Sequence, residues 1–227
     1  MSAHELDNPL WHMLCHDLAE FTTGTALAKR CPPEIAPITG LADHSEAAFA
    51  DMVTLFNPGE GASVVEANPP EAIPGFELQS RFSFDQLACS QRTPAAQNEV
   101  DVIELTPADL QDAVQLVELT RPGPYFAGIF ARRRFVGIRQ EGQLVAMAGE
   151  RVQLPGYCEV SAVCTHPDWR GHGYASLLTS IIADGIWKRD QTPFLHVAFD
   201  NTAARRIYER LGFVKRREMT GVSLVRS

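Results

Sequence analysis

The residues best suited to chemistry form one run, Val163-Cys164-Thr165-His166-Pro167-Asp168-Trp169-Arg170-Gly171-His172-Gly173-Tyr174-Ala175, followed by Ser176. Its pattern predicts a strand, a tight loop with two glycines, and a helix start. Pro167 stops the strand, while Gly171 and Gly173 permit positive φ and keep side chains out of the loop. The first N–H groups of such a helix have no internal partner, and the helix dipole is positive there. A phosphate or pyrophosphate fits that cradle, with Arg170 adding a charge-assisted contact. A second run, Asn201-Thr202-Ala203-Ala204-Arg205-Arg206-Ile207-Tyr208-Glu209-Arg210-Leu211-Gly212-Phe213, reads as a helix ending at a glycine. Asn201 and Tyr208 are two helical turns apart and share a face. Ala204, Ile207, Tyr208 and Leu211 form an apolar stripe, so on spacing alone Tyr208 reads as a core residue.

Two further titratable residues stand on the strands beside these runs. Glu159 lies four residues before Val163 on the same predicted strand and, by the period of two, on the same face. His196 lies on the next predicted strand, five residues before Asn201, and histidine titrates in the neutral range. A structural glutamate and a sheet histidine are the plain alternatives. Cys164 faces away from Val163 and Thr165, as a small core residue does. His166, His172 and Cys164 match no common zinc spacing, so no metal site is expected.

The cradle alone says only that an anion binds. A Walker loop requires Gly-Lys-Ser/Thr, which is absent. A dinucleotide fingerprint requires three spaced small residues and an acid after the next strand; here the third position is Ser176, late in the chain. The run resembles the signature of the GNAT superfamily of acyl-CoA N-acyltransferases, Gln/Arg-x-x-Gly-x-Gly/Ala, at Arg170, Gly173 and Ala175. The second run resembles that family's Asn-x-x-Ala-x-x-x-Tyr-x-x-x-Gly-Phe ending. The resemblance covers about residues 100–227. The chain is also similar in layout to two-part members related to glycine N-acyltransferase, whose N-terminal part resembles a degenerate half of the same fold.

The resemblance implies acetyl-CoA as co-substrate and direct attack of an amine on the thioester in a ternary complex. It implies that the strand before the loop splays from its neighbour, so that Val163, Cys164 and Thr165 run beside the pantetheine arm. Gly171, His172, Gly173, Tyr174, Ala175 and Ser176 then receive the pyrophosphate, with Arg170 beside it. A backbone N–H near Val163 polarises the thioester carbonyl, Asn201 contacts the arm or caps its helix, and Tyr208 protonates the leaving thiolate. Glu159 stands where many members carry a strand glutamate base; His196 departs from the glutamate that some N-terminal acetylases carry there. Arg205 and Arg206 suit the 3′-phosphate. Longer-chain or amino-acid N-acylation, and a CoA-binding sensor without catalysis, are the alternatives.

Elements of a mixed α/β fold must position these groups. Strands are expected at Val100–Leu105, Phe135–Arg139, Leu144–Val152, Tyr157–Thr165 and Pro193–Phe199. Helices are expected from Thr106, from about Gly173 and over Thr202–Leu211, with two short closing strands at Phe213–Lys215 and Met219–Val225. Thr106-Pro107-Ala108-Asp109 carries a cap, a first-turn proline and an acid. Ahead of this acetyltransferase domain, placed at 97–227, an N-terminal α/β unit is expected over 1–96. It should hold a helix at His44–Phe56, strands at Ala62–Val65 and Phe76–Phe84, and a linker at Ser90–Asn98.

The chain has 227 residues, 45% of them hydrophobic, and a formal charge of -8. Residues 1–100 hold 14 acids against 4 Lys and Arg, while residues 101–227 hold 14 against 16. The acidity argues against a nucleic-acid partner, and the acidic first half points to a cationic acceptor such as a polyamine, an aminoglycoside or a basic peptide end. Arg132-Arg133-Arg134 and Lys215-Arg216-Arg217 read as solvated faces. Five cysteines without a CxxC pair suggest reduced thiols. With neither a signal-peptide pattern nor an apolar run of about 18 residues, the expected location is the cytoplasm, away from membranes. Oligomeric state has no signature.

Overall fold

The computed structural model describes residues 4–89, 91–92 and 100–227. The chain forms two compact units, Met1–Asp85 with Arg217–Ser227, and Gln86–Arg216. The changeovers fall inside two 14-residue strands, β5 (Phe76–Cys89) and β11 (Phe213–Arg226). The linker expected at Ser90–Asn98 lies, but for residues 91 and 92, outside the described residues.

The first unit contains α1 (Pro9–Cys15), β1 (Thr23–Gly24), β2 (Ala28–Arg30), β3 (Thr39–Leu41), α2 (Glu46–Thr54) and β4 (Gly61–Glu66). Strands β1, β2 and β3 make a small antiparallel sheet. The helix expected at His44–Phe56 is α2, started by Ser45, whose hydroxyl accepts from the Ala48 N–H. The last part of β11 pairs antiparallel with β4, from Thr220↔Glu66 to Val225↔Gly61. The two short closing strands are thus one strand. Its mixed burial, with Met219, Gly221, Val222 and Leu224 inside and the 214–218 stretch largely outside, breaks the alternation that the sequence reading needed.

The second unit holds β6 (Ile103–Leu105), α3 (Leu110–Thr120), α4 (Ala127–Phe130), β7 (Phe135–Gln140), β8 (Gln143–Leu154), β9 (Tyr157–Thr165), α5 (Tyr174–Trp187), β10 (Thr192–Ala198) and α6 (Thr202–Arg210). Its sheet runs β11-β5-β10-β9-β8-β7-β6, antiparallel from β6 to β9 and parallel between β9 and β10. The Thr106 backbone N–H donates to Asp109 Oδ2 at 2.9 Å, and a 3-10 turn over Pro107–Asp109 leads into α3. The β7–β8 hairpin turns at Glu141 and Gly142, φ 50° and 83°, the two positive values of a type I′ turn. One apolar face of the sheet, with Val136, Ile138, Val160 and Leu195, packs against Leu178 and Ile182 of α5; the other, with Phe135, Met147, Ala162 and Cys164, packs against Leu116 of α3 and Phe130 of α4.

Gly149 lies opposite Phe135, and a Cβ there would meet three ring atoms of Phe135 at 2.1 to 2.4 Å. Phe135 is itself held by Phe130, ring centres 4.8 Å apart. Gly149→Ala is therefore expected to cost about 1–3 kcal/mol, read as a lowered Tm, with Phe135→Leu recovering part of it in the double variant.

Candidate active site

A split between two parallel strands opens the site. Strands β9 and β10 pair only over Thr192↔Tyr157, Pro193↔Cys158 and Phe194↔Glu159. Beyond that β9 continues to Thr165 and β10 to Ala198, and the two diverge. Between them lies a cleft of about 1080 Å³ whose lining residues all fall between Thr120 and Arg210.

Strand β9 also bulges. Ala162 has φ 52°, and the β8–β9 register slips there, with Met147↔Cys164 on one side and Gly149↔Ser161 on the other. The extra residue reverses the alternation. Val160 and Val163 both meet the α5 side, whereas Ala162 and Cys164 meet the α3 side. The expectation that Glu159 and Val163 share a face is thereby corrected: a period of two does not survive a left-handed residue between them. No registered pair falls at Ala162 or Val163, so the ladder to β8 is interrupted beside the cleft.

At the far end of β9 the glycine loop runs into the start of α5. Gly171 and Gly173 have φ 84° and 78°. Gly173 is the N-cap of the 14-residue helix α5 and offers no capping side chain, and a Cβ on either glycine would stand in open space. The first-turn residues Tyr174, Ala175 and Ser176 line the cleft with Arg170, Gly171 and Gly173. Thr165, also lining it, has its Oγ1 buried with no hydrogen-bond partner among the described residues. An orphan hydroxyl beside an uncapped helix start fits a polar, anionic ligand. The His172 side chain turns to its own loop, with Nδ1 facing the Trp169 and Arg170 carbonyls, both at 3.1 Å, and it is not among the lining residues. Asn201 caps α6, its Oδ1 accepting from the Ala204 N–H at 3.1 Å, and it faces the cleft with Tyr208. Burial, and secondarily the neighbouring Cys164, push the Tyr208 hydroxyl up to about 12. Burial likewise raises the Cys164 thiol to about 11, so it is no thiolate nucleophile at neutral pH.

Glu159 and His196 meet where the strands part, and three partners surround them. Arg151 donates from Nε to Glu159 Oε2 at 2.8 Å and from Nη2 to Oε1 at 2.7 Å, and from Nη1 to the Pro124 carbonyl at 3.1 Å. His196 Nδ1 lies 2.8 Å from Glu159 Oε1. Gln86 Nε2 lies 3.1 Å from His196 Nε2, and Arg216 Nη1 donates to Gln86 Oε1 at 2.9 Å. That last bond turns the amide nitrogen of Gln86 toward the ring. The ring accordingly accepts at Nε2 and donates from Nδ1 to Glu159. Burial opposes the Glu159 charge, but Arg151 first and then His196 outweigh it and hold the carboxyl down at about 2. Glu159 is thus ionised, with both oxygens engaged. Among the described residues no group of His, Cys, Asp and Glu is arranged to hold a metal. No helix is long and apolar enough to cross a membrane.

Comparison with known proteins fits this geometry. Residues 135–222 match the FR47-like protein family. A structure described as a putative acetyltransferase from the GNAT family, from Novosphingobium aromaticivorans, is 31% identical, covers 99% of this chain and 100% of its own, and superposes with a TM-score of 0.89. The chain belongs to the GNAT acetyltransferases. A GCN5-related N-acetyltransferase from Kribbella flavida shares the fold, with TM-score 0.67 at 21% identity over 96% of this chain and 93% of that one. Among curated proteins, the mycothiol acetyltransferase of Mycobacterium leprae is 35% identical over 124 residues, which is 50% of this chain but 40% of that protein; the one from Mycobacterium avium is 34% identical over 112 residues. The chain thus spans well under half the length of these curated relatives.

In this GNAT chain the sequence reading missed Arg151, Gln86 and the loop from Thr120 to Pro124, and it took Arg216 for part of a solvated face, whereas Arg216 is half-buried and bonded to Gln86. Arg151 had no local signal: a hairpin turning at Pro155-Gly156, with Leu154↔Tyr157 and Gln153↔Cys158, puts Val152 across from Glu159, and the register shift between Glu150 and Gln153 brings Arg151 there instead. Gln86 and Arg216 had none, because β5 and β11 are remote in sequence from His196.

Proposed function

We propose that this chain transfers an acetyl group from acetyl-CoA to the amine of a small acceptor, which attacks the thioester directly while both substrates are bound. The observation that carries this is the single cleft holding the glycine-capped start of α5, the interrupted β9 ladder and Tyr208. The first-turn N–H groups of α5 and Arg170 receive the pyrophosphate, and Thr165 Oγ1 gains the partner it lacks. The backbone N–H at Val163, outside the β8 ladder, is the donor to the thioester oxygen as charge develops there. Tyr208 gives its proton to the departing thiolate.

For the base the reading favours His196 over Glu159. A carboxylate with both oxygens held by Arg151 and His196 is a weak proton acceptor. It is well suited to orient the ring through Nδ1–H, which leaves Nε2 as the accepting atom. In the substrate complex the amine, or a water it holds, takes the place of the Gln86 amide on Nε2. The relatives named for mycothiol support a small-molecule acceptor.

Calorimetric titration with CoA and acetyl-CoA tests the coenzyme site. Gly173→Glu places bulk and like charge in the cradle and imposes φ 78° on a residue that disfavours it. Affinity is expected to fall about a hundredfold, the worth of one or two charge-assisted bonds. A folded wild type that binds neither ligand would refute the reading.

A further inference from the structure

We infer that the acceptor is a primary amine carrying a carboxylate a few bonds from its nitrogen, and that Arg121 is the residue that selects it; this rests on the acetyl-transfer reading above. The charges lining the cleft support it. The lining carboxylates are Glu159 and Asp200, set against Arg121, Arg151, Arg170 and Arg210. Asp200 adjoins the α6 cap, in the half assigned to the coenzyme. Glu159, in the acceptor half, has both oxygens taken by Arg151 and His196. Among the described residues no carboxylate lining that half is left to meet a second ammonium.

Arg121 is placed by its neighbours. It follows Thr120, the last residue of α3, which also lines the cleft. Three residues later, the Pro124 carbonyl takes Arg151 Nη1 beside Glu159. The loop is thus held beside Glu159 at Pro124, with Arg121 exposed and lining the cleft. Arg121 caps α3 in the left-handed region, φ 48°, where glycine or asparagine is more at ease. An arginine at so unfavourable a backbone position points to a use for its side chain. Among the described residues no carboxylate pairs with it. Arg151 adds to the field, since its three bonds leave two of five N–H donors available. A carboxylated amine would place its acid against Arg121 and its nitrogen toward His196; a diamine would bring a second positive charge against both arginines.

The test is steady-state acetylation of leucine, glutamate and lysine, each against its own carboxamide and corrected for free-amine fraction, with putrescine as the diamine. The expected kcat/KM ratio of acid to amide is about tenfold or more, the worth of one hydrogen bond to a charged group. Arg121→Asn, which suits the left-handed backbone, should bring the ratio close to one, and Arg121→Lys should keep part of it. Calorimetry with CoA on each variant separates the two readings. A wild type that binds acetyl-CoA yet prefers putrescine, treats acid and amide alike, or acetylates none of these amines overturns the inference and leaves the coenzyme site standing. An unchanged ratio in Arg121→Asn overturns it as well. Absence of acetyl-CoA binding brings down the acetyl-transfer reading itself.

Discussion

Tyr208→Phe is expected to lower kcat by a factor on the order of 100 to 10,000, the range for loss of a positioned proton donor, while CoA binding persists. The ring carries the packing and the hydroxyl carries the chemistry. The phenyl ring of the variant would keep the edge contact with Phe213, whose ring centre lies 6.1 Å from that of Tyr208, and the place of the side chain in the core against α5 and β10. The hydroxyl is held near 12 by burial and then by Cys164, so it keeps its proton throughout the neutral range. Such a group is poorly suited to be a base and well suited to donate to a departing thiolate. Single-turnover measurement of thiol release, with CoA titration beside it, reads both halves of the prediction. A variant that retains full turnover would make Tyr208 the core residue that its apolar stripe also allows, and would favour a different proton source.

What the sequence disclosed depended on how local each signal was. Strand β9 was readable to the residue, because Tyr157–Thr165 is bounded by Pro155-Gly156 on one side and His166-Pro167 on the other. The α5 start was readable because Gly171 and Gly173 carry a backbone demand that only a loop into a helix explains. The first unit was less legible. Helix α1 has only seven residues, too short for periodicity, though Asn8 and Pro9 are a cap and a first-turn proline in plain view. Strands β1, β2 and β3 have two or three residues each, below what alternation can resolve. In the site, the bulge at Ala162 was invisible because alanine gives no hint of φ 52°. It was that hidden residue that upset the assignment of Glu159 and Val163 to one face. The ionisation of Glu159 was equally hidden. Its residue type suggested a base, and the charge of Arg151, supplied by tertiary packing, argues for an orienting role.

That ion pair supports the second large effect. Arg151→Met is expected to destabilise the fold by about 3–5 kcal/mol at neutral pH, the usual consequence of leaving a buried charge without its partner. Glu159 is 1% exposed, and methionine fills the arginine stem without its charge. The pH dependence should reverse. In the wild type the Glu159 carboxyl sits at about 2, below its ordinary 4.5. It therefore contributes stability above about 4.5 that is lost as pH falls toward 2. In the variant the largest opposing influence, burial, acts with only His196 against it, and the carboxyl moves upward. A carboxyl raised above its unfolded value binds its proton more tightly when folded. Its destabilising effect is then greatest at high pH and eases as the solution becomes mildly acidic. Calorimetric Tm values at pH 7.5 and 5.5 distinguish the cases: the Tm deficit of the variant relative to wild type should shrink at the lower pH. Adding Glu159→Gln to Arg151→Met removes the stranded charge and should restore a large part of the loss, whereas activity should stay low because His196 loses the carboxylate that orients Nδ1–H. A deficit that is the same at both pH values, or a double variant no more stable than the single one, would mean that Arg151 stabilises through its packing and its bond to the Pro124 carbonyl rather than through the charge of Glu159.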